Sequence, residues 1–428
     1  MGLIRWDVSM VASLARRLER RSAPVGLAVA AVAVLLTLLF WVLLPEQLRA
    51  NTNSDYWNFY EPVARNILAG EGLTTADGRP ALRYPPGYPL LLAAVFGIAN
   101  ALGVPDLVAL AIFTLLCVAL SAALVYVIAR MLWGPLPAAI AGLLWMTYPP
   151  VLWSTKQPNS ETPFSVCFYA GVAIFWYAYS RRTRSWPLYL AAGVCIGCSM
   201  LIRPLALSIP PALALFVLLG RAQPGGLLRL GLVGALLVGC ALPVLPWQGW
   251  MYAQSGAWHL LSSGGPSSMR DGLTFAVDRR DRRVGNPVPS DVLATMERLR
   301  ERGGEMRSFG SVVRIVGEEL ARDPPAMLKL LAIKAMRSLY AMDSERYDTL
   351  SILMQCFYLG LIGFGAWHAW RGDGLPRDYV LMTGLLLLGF WGITFLVLSI
   401  LRYTAPMIAL ALTLVPALLP PAIRRPPS

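Results

Sequence analysis

The groups in this chain best suited to chemistry are two carboxylates, Asp55 and Glu161, and three guanidiniums, Arg83, Arg203 and Arg402. A carboxylate beside a hydroxyl can take its proton as the oxygen attacks. A guanidinium offers a planar fork of donors that matches phosphate oxygens. Each residue also has a plainer reading. Asp55 could be a cap or a hydrated loop acid, and Glu161 could stabilise the N-terminus of the helix it opens. Arg83 could simply snorkel to a membrane surface. Arg203 and Arg402, in apolar settings, could pair with a structural acid or a backbone carbonyl.

Asp55 and Arg83 share one stretch, residues 51–89, NTNSDYWNFYEPVARNILAGEGLTTADGRPALRYPPGYP, directly after the first long apolar run. Tyr56, Trp57, Phe59 and Tyr60 follow the acid, and such rings favour a membrane interface. Tyr84 and Tyr88 bracket the Pro-Pro-Gly that follows Arg83. A short helix is predicted from Pro62 to a stop at Gly70, with Glu61 as its cap and a structural residue. Ionisable groups at a membrane edge are costly, so a loop keeping Asp55, Glu61, Arg65 and Arg83 together invites a functional reading.

The rest of the chain must position these groups. It has 428 residues, 56% of them hydrophobic and only 14% charged. Apolar runs near twenty residues recur, each able to cross a bilayer core of roughly 30 Å as a helix. Barrel strands would show short alternating segments instead. The expected fold class is therefore all-α and polytopic in a membrane. The formal charge of +13 comes from Arg clusters between the apolar runs. No basic recognition motif accompanies it, so no nucleic-acid partner is expected.

Cysteines 117, 167, 195, 198, 240 and 356 all fall within apolar runs, which excludes a disulfide framework in the loops. Cys195 and Cys198 form a CxxC, but beside Gly193 and Gly197, a pattern of small-residue helix packing rather than redox or metal chemistry. His259 and His368 are poorly placed for metal ligation, so no metal and no cofactor are expected.

Spans are expected near 24–44, 107–129, 136–152, 162–180, 187–203, 205–220, 227–248, 349–370, 379–399 and 402–420. The first follows Arg16, Arg17, Arg20 and Arg21, is too long for a typical signal sequence and is read as retained. Residues 85–102 are apolar but short and opened by Pro-Pro-Gly. If they lie in the outer interface, or re-enter, rather than cross, the short inside loops become Arg130, Arg181–Arg184, Arg221–Arg229, Arg371–Arg377 and the Arg424–Arg425 tail. All are then basic, as positive-inside bias demands. About ten spans and two cytoplasmic termini follow.

Two larger regions then face outward, giving three parts to the chain. Residues 1–249 form an N-terminal transmembrane module with a catalytic first loop at 45–106. Residues 250–346 form an extracytoplasmic, mainly helical region, and 347–428 the C-terminal transmembrane helices. Within the middle region, helices are expected at 291–301 and 309–322 across a Gly-Gly turn. Asp323-Pro324-Pro325 then starts another, whose Lys329, Lys334 and Arg337 suit a headgroup layer. On this topology Asp55, Arg83, Glu161, Arg203 and Arg402 converge on one leaflet, which no single residue's plainer reading accounts for.

The motifs D55-x4-Y60-x3-A64-x3-L68-x-G70-x-G72, RYPPGYPLL, the NSE of 159–161 and the RYTAP from Arg402 resemble the GT-C superfamily of membrane glycosyltransferases. More narrowly, they resemble its bacterial branch, similar to protein O-mannosyltransferases and to the lipid A aminoarabinose transferase. The resemblance covers most of the chain but is weak over 250–345. It implies a polyprenyl-phosphate-linked sugar donor and an inverting hexosyl or pentosyl transfer. It implies an extracytoplasmic cavity on a bacterial inner (plasma) membrane.

The same resemblance implies Asp55 as general base, Glu161 as a second catalytic acid, and Arg83 as a donor-phosphate ligand. Arg203, Arg402 and Tyr403 join the phosphate site, and Tyr56, Tyr60, Tyr84 and Tyr88 line the substrate. The other partners would be membrane lipids and a glycan, lipid or protein acceptor. Many members carry two adjacent acids in the first loop, whereas Tyr56 follows Asp55 here, which argues against a two-carboxylate or metal-assisted mechanism.

The main competing reading is a transporter or flippase of a lipid-linked precursor. Such proteins place charges and broken helices near the bilayer midplane, whereas the middles of these spans are nearly free of charge. A non-catalytic scaffold would not need acids and arginines on one leaflet. A polymerase or ligase of surface polysaccharide, judged by resemblance, would carry its main loop late.

Overall fold

The computed structural model describes residues 22–183, 185–220, 226–274, 288–342, 348–421 and 423–424. The arginines at 16, 17, 20, 21, 184, 221 and 425, and the charged patch at 275–287, lie outside the described residues. The described residues begin with α1 (Ser22–Leu43), a single turn α2 (Glu46–Arg49), a π-helical turn (Tyr56–Tyr60) and α3 (Glu61–Leu68). Helices α4 (Gly87–Leu102), α5 (Asp106–Trp133), α6 (Pro135–Thr147), α7 (Pro149–Ser154), α8 (Glu161–Ser180) and α9 (Trp186–Ile202) follow. A 3₁₀ turn (Pro204–Ser208) leads into α10 (Ile209–Leu219) and the long α11 (Leu227–Ser255). Next come α12 (Gly265–Thr274), α13 (Ser290–Glu301), α14 (Phe309–Arg322) and α15 (Pro324–Arg337). The last elements are α16 (Asp348–Arg371), α17 (Leu375–Leu396), α18 (Leu401–Ala411) and a 3₁₀ stretch (Leu412–Leu418). Among the described residues there are no strands, only an isolated bridge between Thr74 and Pro80.

Six described helices are long and apolar enough to cross a membrane: Ala23–Leu43, Asp106–Trp133, Leu227–Ser255, Asp348–Arg371, Leu375–Leu396 and Leu401–Leu418. The other expected spans are shorter or less apolar, and proline explains much of that. Residues 136–152 are broken at Tyr148, because Pro149 and Pro150 start a new turn rather than continue α6. Residues 205–220 begin as a 3₁₀ turn after Pro204. The last apolar stretch, 401–418, is 83% buried, so it runs through the middle of the bundle rather than along its edge.

Helices α9 and α11 cross at glycine. A Cβ on Gly193 would collide with Leu236 O, one on Gly239 with Leu190 O, and one on Gly197 would lie 2.5 Å from Cys240 O. Backbones this close gain dispersion contacts that larger residues would prevent, the usual glue where hydrocarbon removes the hydrophobic drive. The CxxC motif is therefore part of a packing seam, and all six cysteines are free.

A second apolar cluster (Leu273, Val288, Val292, Met296, Leu299, Val312, Ile315, Met327 and Leu330 among it) holds α12–α15 together. Its helices match the expected 291–301 and 309–322 within a residue, and Ser308 with Ser311 forms a capping box at α14. The headgroup-facing role expected for α15 is reversed. Lys334 and Arg337 are buried, at 0% and 1% exposure, while Leu328 and Met336 face outward at 57% and 62%. Of the three cations, only Lys329 is exposed, paired with Asp291 at 2.6 Å. The hydrogen-bonding partners available inside decide this orientation, not the amphipathic pattern.

Candidate active site

Asp55 stands at the start of the π turn and is half-buried. Its Oδ1 accepts a hydrogen bond from the Tyr84 hydroxyl at 2.9 Å. The π turn sets Phe59 and Tyr60 edge-on and tilted against Tyr84, with ring centroids 5.1 and 5.2 Å apart. Tyr60 also meets Tyr88 edge-on at 4.9 Å. Such pairs add specificity beyond the area they bury. Asn53 donates to Pro158 O at 2.9 Å, and Thr52 N to Gln157 Oε1 at 3.0 Å, which ties this loop to the segment preceding Glu161.

Glu161 opens α8, where Asn159 Oδ1 accepts the Thr162 N–H at 3.1 Å. Its carboxylate lies 2.7 Å from Arg203 Nη1 and 3.0 Å from Arg402 Nε. Arg203 also donates to Ser160 Oγ at 3.0 Å. Pro204 ends α9, leaving Arg203 in extended backbone and free to turn toward Glu161. Both guanidiniums stack over the Tyr403 ring, at 5.1 and 5.4 Å. Glu161 and Arg203 are buried, whereas a third of the Arg402 side chain is exposed.

Tyr60 stands between the two groups. Burial pushes its phenol well above the ordinary tyrosine value, and Arg203, Tyr84, Asp55 and Glu161 all act on it electrostatically. Burial, and then the neighbouring Asp55 charge, likewise raises Tyr84. Both phenols therefore stay protonated, and that of Tyr84 donates to Asp55. A mostly apolar cleft with a cavity volume of about 30 Å³ runs from Glu161 and Arg402 along Val118, Trp145, Val151 and Pro406.

Arg83 is exposed, its guanidinium 5.3 Å from the centre of the Tyr84 ring. Asp55 and Arg83 therefore meet the same tyrosine, one at its hydroxyl and the other at its face. Their surroundings are connected, although the tilted rings of Tyr60 and Tyr84 lie between Arg83 and the Glu161 group. Of the expected substrate-lining tyrosines, only Tyr84 is partly open. Tyr56, Tyr60 and Tyr88 are buried at 3%, 7% and 1% exposure, so they build the wall rather than present to a ligand. Glu61 and Arg65 leave the acid loop altogether. Arg65 pairs with Glu61 at 3.0 Å and with Asp106 at 2.6 Å, a network that fastens α3 to α5. The Glu61–Arg65 spacing of four residues on a helix was the signal for it. Ser160 gave no signal, because its role depends on how α9 ends.

These residues do not form a metal shell. Glu161 is occupied by two cations, Asp55 has no neighbouring acid in sequence, and among the described residues no group of three or more His, Cys, Asp or Glu could hold an ion.

Residues 83–250, less than half of the chain, match the family described as dolichyl-phosphate-mannose-protein mannosyltransferase. No curated protein sequence matches the chain. The archaeal oligosaccharyltransferase AglB from Archaeoglobus fulgidus, solved with an inhibitory peptide and a dolichol-phosphate, is 17% identical with a TM-score of 0.51, over 90% of this chain and 50% of that one. The A. fulgidus oligosaccharyltransferase solved with Zn and sulfate is 15% identical with a TM-score of 0.52, over 90% and 48%. ArnT from Cupriavidus metallidurans, bound to undecaprenyl phosphate, is 15% identical with a TM-score of 0.41, over 89% and 77%. The chain thus spans about half the length of the oligosaccharyltransferases it resembles. It shares the fold of these oligosaccharyltransferases, and its family match is confined to residues 83–250.

Proposed function

We propose that the protein transfers a sugar from a polyprenyl-phosphate donor to an acceptor hydroxyl on the extracytoplasmic side of a bacterial inner membrane, with inversion. The observation that carries this reading is the convergence of Arg203 and Arg402 on one buried carboxylate at the head of an apolar cleft. A lipid phosphate has just these needs: cations at one end and hydrocarbon walls at the other. A neighbour of the same fold was solved with a dolichol-phosphate, which supports the donor class.

The step balances simply. The acceptor oxygen forms a bond to the anomeric carbon as the bond from that carbon to the phosphate oxygen breaks. The electron pair leaves with the lipid phosphate, a weak base that guanidinium charge stabilises without a general acid. Asp55 takes the acceptor's proton, its carboxylate oriented by the Tyr84 hydroxyl. Glu161 holds the two arginines in register rather than exchanging protons. Arg83, exposed beside the Tyr84 ring, binds the donor phosphate at the mouth of the site. The helical region 250–346 carries acceptor choice, be it glycan, lipid or protein. The three-part division at 249 and 346, about ten spans and two cytoplasmic termini complete the reading.

The test is transfer in vitro from defined polyprenyl-phosphate sugars, with wild type against Asp55→Asn. Full activity in the variant removes Asp55 as base. Absence of transfer by wild type from every such donor overturns the enzyme reading in favour of lipid-linked precursor transport.

A further inference from the structure

Helix α12 touches both arms of the candidate site through bare backbone. At its start, Ser263 N donates to Leu82 O at 2.9 Å, and a Cβ on Gly264 would lie 2.6 Å from Arg83 O. Near its end, a Cβ on Gly272 would collide with Val397 O. Only glycine allows either approach. Lys334 locks the second contact: its buried Nζ donates to Gly272 O at 2.7 Å and to Val397 O at 2.8 Å. A buried amine is costly unless hydrogen-bonded, so this pairing fixes where Val397 can sit.

Val397 begins the short link between α17 and α18, and Arg402 lies five residues on. The end of α15 grips the two helices that flank this link. Ala341 O accepts from Leu401 N at 2.8 Å, Ser338 O from Thr404 Oγ1 at 3.1 Å, and Ser338 Oγ from Trp391 Nε1 at 2.8 Å. The eight-residue step from Gly264 to Gly272 sets the two contacts about 12 Å apart along α12.

We infer that α12 is a strut that sets the separation of the Arg83 turn from the Arg402 link, and that Lys334 is the positioning residue that fixes its far end. This rests on the reading of both arginines as donor-phosphate ligands, since only then does their spacing matter to the reaction. Neither Lys334 nor either glycine touches a reacting atom.

The experiment places spin labels at Arg79 and Leu396 of the full chain in lipid nanodiscs and measures the distance distribution between them. Lys334→Met and Gly272→Ala are expected to broaden or shift a narrow wild-type distribution. They are also expected to raise KM for an undecaprenyl-phosphate sugar by about ten- to a hundredfold, with kcat changed far less. Arg302→Gln, in the exposed ion pairs of the same helical unit, should move neither. If the lysine variant does not fold, Gly264→Ala tests the other end without disturbing a buried cation. An unchanged distribution in the folded variants overturns the strut. A changed distribution without transfer by wild type leaves the strut standing and removes the function it was meant to serve.

Discussion

Asp55 and Glu161 are the same functional group in two different settings. Asp55 is half-buried and held by one phenol, and among the described residues it meets no cation at contact distance. Glu161 is buried under two guanidiniums and a serine that steadies one of them. A carboxylate needs spare acceptor capacity to take a proton, and Asp55 has it. Glu161 has committed its capacity to Arg203 and Arg402, so its value is geometric. The comparison teaches that neighbours, rather than residue type, divide the proposed base from the proposed anchor.

The sharpest way to break that division is Asp55→Asn, which should cut transfer by about 10²–10⁴-fold while leaving donor KM nearly unchanged. Glu161→Gln should behave differently. It strands two cations, and breaking a buried pair costs roughly 3–5 kcal/mol, so thermal unfolding of the solubilised protein should drop and donor binding weaken together. A stable Glu161→Gln variant with normal KM would reverse the two assignments. Arg402→Met should raise donor KM by about ten- to a hundredfold, the worth of one charge-assisted hydrogen bond, with little change in kcat. Tyr84→Phe removes one hydrogen bond of about 1 kcal/mol from Asp55 and should lower kcat about fivefold.

The smallest effect concerns the linked helices. Burial, helped by Arg337, holds the Lys334 amine down to about 7. Below that pH, both folded and unfolded chains carry the charge, and the folded state bears its full cost. As pH rises from 7 toward the ordinary lysine value of about 10.4, the unfolded chain keeps the proton that the folded chain releases, so stability climbs. Denaturant unfolding of the full chain should show greater stability at pH 9 than at pH 6, and Lys334→Met should flatten the difference. A neutral amine still has two hydrogens for the two carbonyls it faces.

Much of the frame was legible in the chain. Apolar runs located the long helices, Pro204 marked where α9 ends, and the glycines beside the CxxC marked a helix crossing. The acids and arginines worth testing were also visible, because charge in an apolar chain stands out. Their partners were not. Nothing local says that Tyr84 meets Asp55 across 29 positions or that Arg203 meets Glu161 across 42, since those pairings depend on how distant helices end. The inward turn of Lys334 was hidden for a similar reason. Amphipathic spacing describes one helix, whereas two carbonyls from elsewhere settled which side faces in.

The five-residue turn from Tyr56 to Tyr60 holds one residue more than a regular coil would, and Asn58 within it is exposed. Removing that single position would restore ordinary winding and swing everything upstream by about 100°. Asp55 would then lose its phenolic partner with no atom of its own altered. The carboxylate proposed as the base is aimed by a local miscount in the coil.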